Sequence, residues 1–138
     1  MEFDFLNTRM SEVRDNTPPE GVYMASLITW KPKVTTGGES IISGGFRIQS
    51  VVDAPYDGPV ADLALVNHTW WMRDSSQDVA RRWLSDVVHV TTKDSDDVNF
   101  KEGFERAVGV PVKILTENRR DPKTERVYPE VKRFLPQD

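Results

Sequence analysis

Apolar positions in the chain's first half fall into strand-like runs whose residues divide, with a period of two, between two faces. From Gly21 to Lys33, Tyr23, Ala25, Leu27 and Thr29 fall on one face, and Val22, Met24, Ser26, Ile28 and Trp30 on the other. Both faces are largely apolar, which predicts a central or strongly coiled strand. Thr36-Gly37-Gly38-Glu39 predicts a turn. A second strand is predicted over Ile41–Val52, interrupted by Gly44-Gly45. Paired glycines inside a strand pattern predict a bulge or a sharp bend. After the turn-rich stretch Asp53–Pro59, a third strand is predicted from Val60 to about Met72.

The period then changes. Asp74–Asp78 reads as a helix start, with Ser75 and Asp78 spaced as a capping box. Val79, Ala80, Trp83, Leu84 and Val87 follow at helical spacing, and the helix is expected to end near Val88–Thr91. Lys93–Asp97 is a polar break. A short helix is predicted over Phe100–Val108, with Gly109 at its C′ position. Two last strands, Val110–Thr116 and Arg126–Leu135, flank a hairpin tip in which Pro122 is a turn former. Upstream, residues 1–20 read as an acidic N-terminal tail, in which Phe3 and Phe5 could dock on the domain, ended by the breaker cluster Asn16–Gly21. The order of strands and helices is that of a small Greek-key barrel. It predicts a mainly β, five-stranded OB fold over residues 21–138, with a helix between strands 3 and 4.

Length and composition narrow the class. A chain of 138 residues suits one domain. It has no cysteine, which removes disulfides, thiolate metal sites and cysteine nucleophiles. No window approaches a membrane span, and the acidic N-terminus lacks the pattern of a signal peptide. A cytoplasmic protein is therefore expected. The formal net charge of -4 argues at first against nucleic acid. The charge is uneven, however: residues 1–20 hold five acids and two bases, whereas residues 110–135 hold seven bases and four acids.

The sequence offers little to an enzyme. It has neither a nucleophile elbow nor a phosphate loop. His68 and His89 read as structural or solvated. Asp94, Asp96 and Asp97 lack the glycine and third ligand of a calcium loop. No catalytic residue, metal or cofactor is expected; Asp53, Asp57 and Asp62 leave a metal-dependent nuclease as one alternative. The informative residues are aromatic and basic: Trp30, Lys31 and Lys33 on strand 1, Phe46 and Arg47 on strand 2, and Trp71 and Arg73 at the end of strand 3. Lys113, Arg126, Tyr128 and Lys132 lie on or beside the last two strands. Flat side chains stack with bases while Lys and Arg follow phosphates, the combination that binds single strands. Trp83 reads as core. Trp70 and Trp71 must face opposite sides of a regular strand, one of them core.

Several segments together resemble the small phage-encoded single-stranded DNA-binding proteins of OB fold, long catalogued as a domain of unknown function. They are Met1–Phe5, Pro18–Tyr23, the long helix after strand 3, Ala107–Lys113 and Asp121–Phe134. The resemblance implies a non-enzymatic protein that coats single-stranded DNA in phage replication or recombination, in the host cytoplasm. It departs from many such proteins in ending Phe134-Leu135-Pro136-Gln137-Asp138, with a single acid. Recruitment of phage or host replication proteins would then fall to the acidic N-terminal tail. A homodimer is compatible with the sequence, as is an adaptor or inhibitor on the same fold.

Overall fold

The computed structural model describes Leu6, residues 16–89 and residues 98–136. The expectations for Phe3, Phe5, tail residues 7–15 and the Asp94–Asp97 break fall outside these residues. The alternating first half forms two long strands, β1 (Val22–Val34) and β2 (Ser40–Asp53), joined as an antiparallel hairpin. The turn between them needs a left-handed residue, supplied by Gly38 at φ 82°. Thr35 closes it: its N–H donates to the Glu39 carbonyl at 2.8 Å, and its hydroxyl accepts from the Glu39 N–H at 3.1 Å.

The rest of the sheet is β3 (Val66–Trp71), β4 (Pro111–Arg120) and β5 (Val127–Leu135). Its order is β1-β2-β3-β5-β4, and β1 pairs with β4 from Val22↔Leu115 to Ser26↔Pro111, so the sheet closes on itself. The seam between β3 and β5 is thin, a parallel pairing at Asn67↔Glu130. The hairpin is irregular at three places: Val52 and Gln49 are extra residues of β2, and opposite the paired glycines the extra residue lies on β1. Leu27 pairs with Phe46 and Thr29 with Gly45, leaving Ile28 as the extra residue. The glycine opposite is needed for space: a Cβ on Gly44 would lie 2.7 Å from the Trp70 ring and 2.9 Å from the Leu27 side chain. The bulge also reverses the alternation. Before it, Tyr23, Ala25 and Leu27 face the core; after it, Trp30 packs inward while Thr29, Lys31 and Lys33 are exposed.

Strand 3 starts later than predicted. Residues Val60–Asp62 form a 3-10 turn, closed by the Leu63 N–H on the Val60 carbonyl, and the strand begins at Val66. Upstream, residues 16–20 lie against the barrel. Pro18 is fully buried, the Asn118 amide donates to its carbonyl, and the Ala64 N–H donates to the Asn16 carbonyl.

Two helices lie between β3 and β4: α1 (Gln77–Arg82), continued by a π turn (Trp83–Val87), and α2 (Phe100–Ala107). The capping box does not form, because Ser76 is the N-cap and makes no side-chain bond. Asp78 turns instead to Arg81 and Arg82, at 2.7 and 2.8 Å. Hydrogen bonding from Arg81 holds the Asp78 carboxyl below its ordinary range. The π turn rotates the expected stripe, so Val79 is exposed while Ala80, Trp83 and Leu84 are buried. Helix α2 has an Asn99 side-chain cap on the Glu102 N–H and ends one residue early, with Gly109 left-handed at φ 86°. The core is aromatic: Trp70 lies 4.8 Å from Trp83 and 5.0 Å from Phe104, ring centre to ring centre. Among the described residues no helix is long and apolar enough to cross a membrane.

Candidate nucleic-acid interface

Residues directly opposite each other on neighbouring strands share a face of the sheet. Beyond the β1 bulge, three rows therefore cross β1, β2 and β3. They are Lys33–Ile41–Trp71, Lys31–Ser43–Thr69 and Thr29–Gly45–Asn67. The last row continues through Asn67↔Glu130 and Glu130↔Glu117 onto β5 and β4. This is the outward face, since Lys31, Lys33, Asn67, Thr69 and Trp71 are all exposed. At its middle Gly45 lets the Thr29 and Leu65 side chains close over the backbone, since a Cβ there would lie 2.9 Å from Thr29 and 3.3 Å from Leu65. A shallow cavity of about 170 Å³ opens there, walled by Thr29, Trp30, Lys31, Lys33, Ser43 and Asn67 among others.

Barrel geometry decides between the two adjacent tryptophans. Trp70 is 2% exposed and Trp71 41%. The Arg73 guanidinium lies 5.2 Å from the centre of the Trp71 ring, a cation–π arrangement. Arg73 Nη1 also donates to Glu39 Oε1 at 3.2 Å. Among the described residues neither Lys31 nor Lys33 has an ion-pair partner, so both ammonium groups are available to an anion. Trp30 is half-buried and serves two surfaces, packing on Phe104 at 5.5 Å while lining the cavity.

The other sequence candidates are more scattered. Phe46 is a correction: it is 0% exposed, packed between Trp70, Trp83 and Phe134, and cannot stack on a base. Arg47 and Lys113 stand opposite Ser26 and Met24, on the half of β1 that pairs with β4 and away from the Trp71 row. On the β4–β5 hairpin, Tyr128 is exposed opposite Arg119, Arg126 is exposed in the turn, and Lys132 is the exposed bulge residue of β5. Arg119 is already engaged with Glu130 at 3.3 Å and Glu117 at 3.8 Å. Sequence reasoning missed Thr29, Ser43, Asn67 and Glu39. Their signal lies in cross-strand pairing, which the sequence carries only once the register is known.

The chemistry of the remaining groups is structural. His68 sits 4.7 Å from Trp70 and 5.0 Å from Phe134, edge to face with both rings. Burial pushes its pKa down to about 4, against a hydrogen bond with the Val131 backbone that favours the charged form. It is neutral at pH 7. Among the described residues no three acidic, histidine or cysteine side chains converge to hold a metal ion, Asp53, Asp57 and Asp62 included. Two larger hollows, of about 550 and 400 Å³, flank the π turn and share Asp86, Val87 and Phe134. Their linings are mainly apolar, and Arg82 at the rim is held by Asp78. The smaller hollow beside Gly45 is the better anion site, because Lys31 and Lys33, unpaired among the described residues, line it, and it lies on the same outward face as Trp71. No protein-family model and no curated protein sequence matches this chain.

Proposed function

We propose that the chain is a non-enzymatic, sequence-nonspecific single-stranded DNA-binding protein of OB fold, acting in phage replication or recombination. The observation that carries the DNA-binding reading is the meeting of exposed Trp71 with Lys31, Lys33 and Arg73 on one outward face. A base stacks on the indole, and the ammonium groups take the phosphates on either side. The shallow cavity on this face, lined by Thr29, Ser43 and Asn67 beside Trp30, Leu65 and the two lysines, holds no group that would select one base. The strand order, its closure through β1 and β4, and the position of α1 and α2 between β3 and β4 support the OB reading. Arg126, Tyr128 and Lys132 on the neighbouring hairpin extend the path of the strand, while Phe46, Arg47 and Lys113 stand outside it.

The test is binding of a fluorescent oligo-dT at low salt, read by anisotropy, for the wild-type chain and for Lys31→Ala/Lys33→Ala. Tight binding by the wild type and a marked loss in the double variant are expected. A folded wild-type protein that leaves the oligonucleotide free overturns the reading. Retention of one protein in stoichiometric amount, without DNA affinity, selects an adaptor role.

A further inference from the structure

We propose that Glu39 is an internal stand-in for phosphate: it holds the Arg73 guanidinium in the free protein, and a DNA phosphate takes its place on binding. The inference rests on the reading of this face as a single-strand site and adds how the site is held before DNA arrives. Three observations converge. Glu39 ends the β1–β2 turn and is fixed there by two hydrogen bonds with Thr35. Its carboxylate meets Arg73 through one contact of 3.2 Å, with the two side chains 41% and 51% exposed. The same guanidinium stands over Trp71, the proposed stacking residue.

An exposed ion pair of this kind is weak, because solvent screens it and two long side chains must be held in place. A DNA phosphodiester offers two non-bridging oxygens that fit the guanidinium fork in a bidentate manner, whereas Glu39 reaches it through a single contact. Exchange of carboxylate for phosphate is therefore favourable, yet each binding event must first displace Glu39. Arg119 makes the contrast. It lies between Glu117 and Glu130, which face each other directly across β4 and β5, and it offsets the repulsion of both. Moving Arg119 would leave two opposed carboxylates unpaired, whereas moving Arg73 releases one exposed carboxylate to water. Of the two carboxylate-held arginines on this face, Arg73 is the one free to switch.

The test is a double-mutant cycle over Glu39→Gln and Arg73→Ala, with oligo-dT affinity measured across a salt series and folding checked by circular dichroism. Glu39→Gln is expected to bind about two- to five-fold more tightly at low salt, the range set by an exposed ion pair. Its salt dependence should steepen by up to about 0.7 in log–log slope, the share of one single-strand phosphate contact. In the Arg73→Ala background, Glu39→Gln should change neither quantity. An equal or weaker affinity for Glu39→Gln overturns the inference. So does an equal gain in both backgrounds, which would mark a general charge effect instead of an exchange at Arg73. Failure of the wild-type chain to bind oligo-dT would instead remove the single-strand reading itself.

Discussion

Trp71 and Phe46 are both aromatic residues beside a basic one, on adjacent strands, and their surroundings give them opposite work. Trp71 presents an exposed indole to solvent, so Trp71→Ala is expected to weaken single-strand binding by about 1–3 kcal/mol. Its melting temperature should move little, and the pair of measurements separates binding from folding. Phe46 lies under Trp70, Trp83 and Phe134, so Phe46→Ala is expected to cost about 3–5 kcal/mol in denaturant unfolding. His68 adds a pH signature. Its pKa falls from an ordinary 6.5 to about 4 in the folded chain, so between those values the unfolded state binds the proton and the native state does not. Stability is expected to fall as pH drops through that window, by up to about 3 kcal/mol, and to level off below pH 4. Denaturation midpoints of wild type and His68→Asn across this range isolate the term, since the variant lacks it. Period-two alternation placed Trp70 and Trp71 on opposite faces. It could not say which faces inward, because the direction of curvature comes from closing β1 onto β4.

At the scale of elements, the glycine pair in β2 shows how far a local pattern can be read. It marked one of the places where the sheet departs from regularity, and the extra residue there sits on the partner strand, at Ile28. Gly44 is there because the Trp70 ring crosses its backbone. Gly44→Ala is expected to cost about 1–3 kcal/mol through overpacking, with no change in helix content. The two long strands and α2 were legible because each has a sustained period and a breaker at its end, and so was the existence of the last hairpin, although β4 runs on to Arg120 through polar residues that read as loop. The late start of β3 was not, since residues 60–66 are an apolar run broken only by Asp62, which reads as a buried strand, yet Val60–Asp62 forms a 3-10 turn. Nor was the π turn, whose apolar spacing is that of an ordinary helix. Capping divides the same way. Asn99 sits where its side chain accepts from Glu102, and Asn99→Ala should cost about 1 kcal/mol. Ser75, by contrast, precedes the helix by two residues, and Asp78 is drawn to the arginines of the following turn.

For the molecule as a whole, the formal charge of -4 is a poor guide to what the surface attracts. Acids and bases are sorted by position: Asp78 pairs within α1, Glu117 and Glu130 clamp Arg119, and Glu39 covers Arg73. Among the described residues Lys31 and Lys33 pair with no acid, on the outward face that carries the exposed indole, and under the proposed reading they draw the nucleic acid there. That sorting was half legible in the sequence, as a basic C-terminal hairpin. The face that gathers the unpaired charge comes from β1 and β3, which only the strand register joins. The most direct measurement is a salt titration of wild-type binding to a single strand and to a duplex of the same length. Tight binding of the single strand is expected, falling log-linearly with salt by about 0.7 per phosphate contacted, with the duplex bound far more weakly. Equal affinity for both, or no salt dependence for the single strand, would contradict an interface built on one stacking indole and free lysines.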